Sequence, residues 1–240
     1  MRKLLFWSLI IIVTASGCRE VFGKRIRGNG HIKTETRSAS SFNSIDVSGS
    51  IDVYVKQDSV PSIRIEADDN LLEYVEVYND GGTLHIHERD GVNLKPSGNI
   101  KVYVGGSGFR RFEASGACDI FSENRITSID AIDIDLSGAS DVKMELKAPK
   151  VSAELSGAGT IALKGETKDF RVHGSGSTDI KCFDLLTENT DVEISGAGDA
   201  EVNASVKLDV HVSGAGSVKY KGSATVNQSV SGAGSVKKVE

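Results

Sequence analysis

Four residues after each of a series of Ser-Gly dipeptides stands a short polar side chain: Asp52, Asp119, Asp141, Thr160, Asp179, Asp199, Ser217 and Ser235. Carboxylates that neighbour one another are the raw material of a Ca²⁺ site, which takes about six to eight oxygens. If the segments lie side by side about 4.8 Å apart, Asp119 meets Asp141 and Asp179 meets Asp199. Thr160 and Ser217 break the charge of the column. Asp, Thr and Ser share a simpler use, accepting hydrogen bonds from the backbone of their own turn, and that use is favoured over a metal site.

Other candidates for chemistry are sparse. His85 and His87 flank Ile86 on one strand face, a spacing that two metal ligands can use, but no third ligand is evident. They read as solvent-facing residues of a strand whose inner face is Leu84 and Ile86. His31, His173 and His211 are isolated in sequence. There is no Ser/His/Asp pattern, nucleotide loop or HExxH motif. Cys118 and Cys182 form neither a CxxC pair nor a Cys/His spacing suited to zinc. The serines of the Ser-Gly dipeptides recur too often to be nucleophiles. Enzymes that cut acidic polysaccharides on β scaffolds use a carboxylate pair or a basic residue in a groove with aromatic platforms. Aromatics are 6% of this chain, and Trp7 falls in its leader. The chain is therefore read as a non-enzyme without cofactor, with a carbohydrate-active enzyme or a structural, self-associating envelope module as the alternatives.

The elements that position these residues follow from the dipeptides themselves. They stand at Ser48, Ser115-Gly116, Ser137-Gly138, Ser156-Gly157, Ser175-Gly176, Ser195-Gly196, Ser213-Gly214 and Ser231-Gly232, most of them within SGAG or SGAS. From Ser115 onward they recur every 18–22 residues. A fixed period of this size marks a solenoid, in which one repeat cannot bury a core alone. Between the dipeptides the pattern alternates, as in Ile132, Ile134 and Leu136, then Val142, Met144 and Leu146, so each stretch is a half-buried strand. Nineteen residues at about 3.3 Å each give a perimeter of about 60 Å, one coil of a parallel β-helix. The fold expected is all-β, a parallel β-helix with 18–22 residue coils, right-handed by the usual preference of parallel crossovers. A membrane barrel needs longer strands, and a sandwich of hairpins would vary its turns. Stacked identical turns explain the repetition, since glycine supplies positive φ and close approach.

Residues 37–114 are expected to be a less regular β part, and 115–240 the regular repeat of the same domain. The stretch "VYNDGGTLHI" reads as a hairpin. Cys118 and Cys182 fall three coils apart, about 14 Å along the axis, too far for a disulfide.

Residues 1–18 carry Arg2 and Lys3, an apolar run from Leu4 to Val13, then small residues up to Cys18. The run is shorter than the roughly 20 residues of a spanning helix, so this is an export signal. Its end, Ala15-Ser16-Gly17-Cys18, resembles a lipobox, with Cys18 as the lipid attachment; Ala15 stands where leucine is usual, and simple secretion is the alternative. Residues 19–36 are then a polar tether. Removal of the signal takes away two positive charges and moves the net charge from −5 to −7. An acidic body argues against nucleic acid.

The opening Phe42-x-x-Ile45-x-Val47-x-Gly49-x-x-x-Val53-x-Val55-x-Gln57, followed by SGAG and SGAS turns, resembles the putative auto-transporter adhesin, head GIN domain family over roughly residues 40–236. The resemblance implies a β-helical fold, a lipoprotein or secreted setting in the bacterial envelope and an adhesive role, and transfers no catalytic residue. The expected protein is a non-catalytic outer-membrane lipoprotein of a Gram-negative-type bacterium. Its expected partners are the membrane through its lipid, a glycan or envelope protein, and a second copy through the C-terminal edge, which Lys237 and Lys238 would blunt.

Overall fold

The computed structural model describes residues 23–240. The export signal expected over 1–18 and the lipid attachment at Cys18 lie outside the described residues. The N-terminal part holds β1 (Lys24–Arg27), β2 (Ile32–Arg37), β3 (Ser44–Gly49), β4 (Ile51–Gln57), β5 (Ser62–Asp68), a 3-10 turn (Leu72–Tyr74), β6 (Val75–Asp80), β7 (Thr83–Glu88), β8 (Val92–Lys95) and β9 (Ile100–Gly106). The coils follow as β10 (Arg111–Gly116), β11 (Asp119–Ser122), β12 (Ile126–Thr127), β13 (Ile132–Gly138), β14 (Asp141–Gly157), β15 (Thr160–Gly176), β16 (Asp179–Gly196), β17 (Asp199–Gly214), β18 (Ser217–Lys221), β19 (Thr225–Gly232) and β20 (Ser235–Lys238).

The coils form a parallel β-solenoid of about 7 turns. Its register is the register of the dipeptides: Ser48, Ser115, Ser137, Ser156, Ser175, Ser195, Ser213 and Ser231 pair in one unbroken ladder. Every other side chain points into a single core. Ile134, Ala153, Val172, Val192 and Val210 form one inner column, each at most 1% exposed. Interdigitating small and branched side chains suit an interior this narrow, where an added methylene has no room.

The corner is set by backbone proximity. Gly138 has φ 81°, and a Cβ there would lie 2.5 Å from the carbonyl oxygen of Gly116. That same carbonyl accepts from the N–H of Ala139 at 2.7 Å, and the pattern repeats as Ala158 to Gly138 at 2.8 Å and Ser177 to Gly157 at 2.9 Å. The hydrogen bond that joins two coils draws the backbones together where a side chain would stand. Glycine is thus required twice, for the positive φ and for the approach.

The first dipeptide closes an apparent gap. Ser48 lies directly beside Ser115, and Asp52 beside Asp119, so β3 and β4 are the first coil. The intervening residues build a cap on it. Here β7 runs parallel to β3 and β9 parallel to β4, whereas β5 is antiparallel to β9. The expected hairpin is present, β6 to β7, turning through Gly81 and Gly82 at φ 58° and 87°. Gln57, which ends the Val53-x-Val55-x-Gln57 motif, clamps the first two coils. Its N–H donates to Asn124 Oδ1 at 2.8 Å, its carbonyl accepts from Asn124 Nδ2 at 3.0 Å, and its side-chain amide donates to the Thr127 carbonyl at 3.0 Å.

The described part of the expected tether over 19–36, from residue 23 onward, is built into strands. β1 pairs in parallel with β8, and β2 pairs antiparallel with β5. The reason is Asp68, fully buried, whose carboxylate accepts from the N–H of Gly30 at 2.6 Å and from the N–H and hydroxyl of Ser97 at 2.9 and 2.7 Å. Polar sequence here covers the cap and is held by hydrogen bonds, which hydrophobic patterning cannot reveal. At the other end, β19 and β20 place Gln228 opposite buried Val210 and Lys238 opposite Tyr220, polar residues in core-facing columns.

Candidate interaction surface

Stacking brings the aspartate column together. Asp52, Asp119, Asp141, Thr160, Asp179, Asp199, Ser217 and Ser235 pair residue for residue across successive coils. Where the column's carboxylates accept from the backbone, they do so across coils and not within their own turns as expected. Asp141 Oδ1 accepts from the Thr160 N–H at 2.7 Å, and Asp199 Oδ1 accepts from the N–H of Ser217 at 3.2 Å and from its hydroxyl. Asp52 Oδ2 accepts from Asn99 Nδ2 at 2.7 Å. Burial pushes the carboxyl of Asp119 above its ordinary pKa, and Asp52 and Asp141 push it the same way. Thr160 and Ser217 stand on the receiving side of these bonds, each donating its N–H to the aspartate of the preceding coil. Among the described residues no group of three or more His, Cys, Asp or Glu is placed to hold a metal.

The histidine pair is less solvent-facing than expected. His85 Nδ1 lies 3.0 Å from Asp46 Oδ2, His87 Nδ1 lies 3.0 Å from the Glu88 carbonyl, and Tyr78 stacks on His85 with centroids 5.0 Å apart. Cys118 and Cys182 are both buried and free, and burial pushes their thiols up to about 11 and about 12 respectively. Neither is placed or poised as a nucleophile, because the thiolate is the reactive form.

What sequence reasoning missed is aromatic. Tyr103, Tyr54 and Phe121 are far apart in the chain, yet β9, β4 and β11 pair so that the three share one outward column. Tyr103 stacks on Tyr54 at 5.0 Å and Tyr54 on Phe121 at 5.2 Å. The Arg64 guanidinium caps the far face of Tyr103 at 3.7 Å. Further along, the same column holds Lys143, Ala162, Lys181, Glu201, Lys219 and Lys237, so the aromatic run departs from the solenoid's usual solvent face. Cross-strand aromatic pairs contribute about 0.2–1 kcal/mol each to a sheet, which accounts for the stacked faces. The second face of Phe121 is not accounted for: among the described residues, no ring or cation lies over it. There a groove of about 350 Å³ opens, lined by Phe121, Tyr54, Ser122, Glu123, Lys143 and Lys164, among others. The signal that could have exposed the stack is alignment of Tyr54 and Phe121 six residues after Ser48 and Ser115, which needs the first coil to be recognised as a coil.

A second groove, two to three residues further along the same coils, is more apolar. Ile129 is 93% exposed and Leu186 57%, and they border a groove with Pro149, Ala148 and Thr187. Leu186 reaches solvent because β16 carries extra residues between Cys182 and Leu186 that have no partner in β17.

A register-locked β-solenoid of this kind presents fixed columns of side chains along its flanks. The chain belongs to the family described as putative auto-transporter adhesin, head GIN domain, which matches residues 41–224. Solved structures agree on the fold. A putative adhesin from Bacteroides fragilis is 24% identical, with a TM-score of 0.83, over 89% of this chain and 100% of that one. A putative adhesin from Parabacteroides merdae is 24% identical, with a TM-score of 0.72, over 90% and 100%. A protein from Parabacteroides distasonis described as a putative lipid binding protein is 23% identical, with a TM-score of 0.69, over 90% and 100%. At these identities the likeness shows the fold alone. Among curated proteins none matches.

Proposed function

We propose that this protein is a non-catalytic component of the bacterial cell envelope, anchored by a lipid at Cys18, whose solenoid binds a partner in the manner of an adhesin. The carrying observation is membership of the adhesin head family over residues 41–224, which takes in the cap and most of the coils. The build of the body supports it. One continuous ladder fixes the spacing of outward side chains, so a flank is a pre-organised surface that loses little entropy on binding. Both described thiols are buried, and the carboxylates of Asp141 and Asp199 are spent on the following coil, which fits holding a partner better than transforming one.

The test is protease accessibility on intact cells against cells whose outer membrane has been opened. Digestion of intact cells supports a surface adhesin. Protection until opening overturns direct adhesion and leaves an envelope partner. Metabolic labelling with a fatty acid analogue, lost in Cys18→Ser, checks the anchor.

A further inference from the structure

We infer that the groove beside Phe121 is a saccharide subsite, in which the apolar face of a pyranose ring lies on the free face of Phe121 and its rim hydroxyls meet Lys143, Glu123 and Ser122. This deepens the partner-binding reading and rests on it.

Three observations converge. First, the stack ends asymmetrically: Arg64 closes one end over Tyr103, while the Phe121 end opens into the groove. An aromatic face carries negative charge that attracts the weakly positive C–H bonds on one face of a pyranose, and its apolar area is removed from water on contact. Second, the polar groups along the groove divide into engaged and free. Glu145 holds Lys164 at 3.0 Å and Arg125 at 2.8 Å, and Asn124 spends its amide on Gln57. Lys143 and Glu123 have no ion-pair partner among the described residues. A donor and an acceptor on either side of one flat apolar face match a ligand with a C–H face and hydroxyls around its rim, since each hydroxyl both donates and accepts. An aromatic side chain of a partner protein would use the face and leave both charges unanswered. Third, the ring is positioned from one side: Phe121 stacks on Tyr54 in the neighbouring strand, so its orientation is fixed before any ligand arrives, while Lys143 stands beside it in the next strand. The groove is of the size that holds a small sugar, at the lower end of ligand sites.

The experiment uses the purified full chain carrying Cys18→Ser and three β-1,4-linked probes: cellotetraose, chitotetraose and galactotetraose. Saturation-transfer NMR, irradiating aromatic protons, is run at about 5 mM probe, above a millimolar Kd. The expected result is transfer to the C–H protons of one pyranose face for at least one probe. Affinity should fall by about tenfold or more in Phe121→Leu, which keeps the apolar packing but removes the flat face, and by severalfold in Lys143→Ala and Glu123→Gln. Tyr78→Ala, an exposed ring elsewhere, should leave binding unchanged. No transfer from any probe overturns the inference, as does equal transfer in Phe121→Leu; the stack is then structural only. Either failure leaves the envelope reading standing if intact cells still expose the body to protease, so the two readings fail separately.

Discussion

Two glycines with nearly the same φ show how differently the cap and the coils are built. Gly30 in the cap has φ 82° and would place a Cβ in open space; Gly138 in the coils has φ 81° and would drive one against the Gly116 carbonyl. In the coils, order comes from backbone meeting backbone, repeated every turn. In the cap it comes from individual side chains: Asp68 on Gly30 and Ser97, Arg37 on the carbonyls of Leu72 and Val75, Asn79 on Ser40 and Ser41. A repeated constraint writes itself into the sequence as a period, whereas single contacts do not.

The largest effect should separate those glycines. Gly138→Ala is expected to cost about 3 kcal/mol or more, strain plus clash. Gly30→Ala should cost about 1 kcal/mol, the left-handed strain alone. Urea unfolding of the two variants measures both, and equal losses would show that close approach is not what the coils demand.

Next, Asp68→Ala should cost about 2–3 kcal/mol by leaving buried donors without an acceptor. Amide exchange should speed at Gly30, Ser97 and β2 while the coils keep their protection; uniform loss would mean that cap and coils unfold together. The same site predicts a pH dependence. Burial pushes the Asp68 carboxyl up, but hydrogen bonds from Ser97 and Gly30 outweigh it and hold the pKa below the ordinary value. The stability it contributes is therefore full above the unfolded carboxylate pKa of about 3.9 and is lost as pH falls through the lower folded value. Unfolding midpoints between neutral pH and the acid limb should show that slope, and Asp68→Asn should flatten it.

A smaller effect sits inside the coils. Thr178 occupies a column that is glycine at Gly159 and Gly198, and its buried hydroxyl has no partner. Room for it comes from Gly174, which stands where neighbouring coils carry Leu155 and Ile194. Thr178→Val should stabilise by about 1 kcal/mol, since an unsatisfied buried polar group is removed at constant shape. Gly174→Ala should destabilise the parent protein yet be tolerated beside Thr178→Gly, a coupling that a double-mutant cycle measures. The smallest effect is chemical. With their thiols raised to about 11 and about 12, Cys118 and Cys182 should resist iodoacetamide at pH 8 until denaturant is added.

The contrast also explains what the sequence made legible. The coil period, its register and the β6–β7 hairpin could be read directly, because each is a local rule applied to Gly, Ser and alternating apolar residues. The strands inside 19–36 could not, since Lys24–Arg27 and Ile32–Arg37 are mostly exposed and owe their place to partners in β8 and β5. The carboxylate column was legible as a column, but its use was not, because the acceptors serve the following coil. The aromatic stack was hidden by distance along the chain; only the docking of β9 and β11 on either side of β4 makes neighbours of Tyr103, Tyr54 and Phe121.

Because the carbonyl of Gly116 receives the Ala139 N–H just as that of Gly138 receives the Ala158 N–H, one coil is interchangeable with the next as a building unit. Copying residues 138–156 in tandem should add one rung and lengthen the rod by about 4.8 Å without disturbing either neighbour. Distance from the cap to the far tip is then counted in whole coils, and evolution can adjust the reach of this molecule by the arithmetic of duplication.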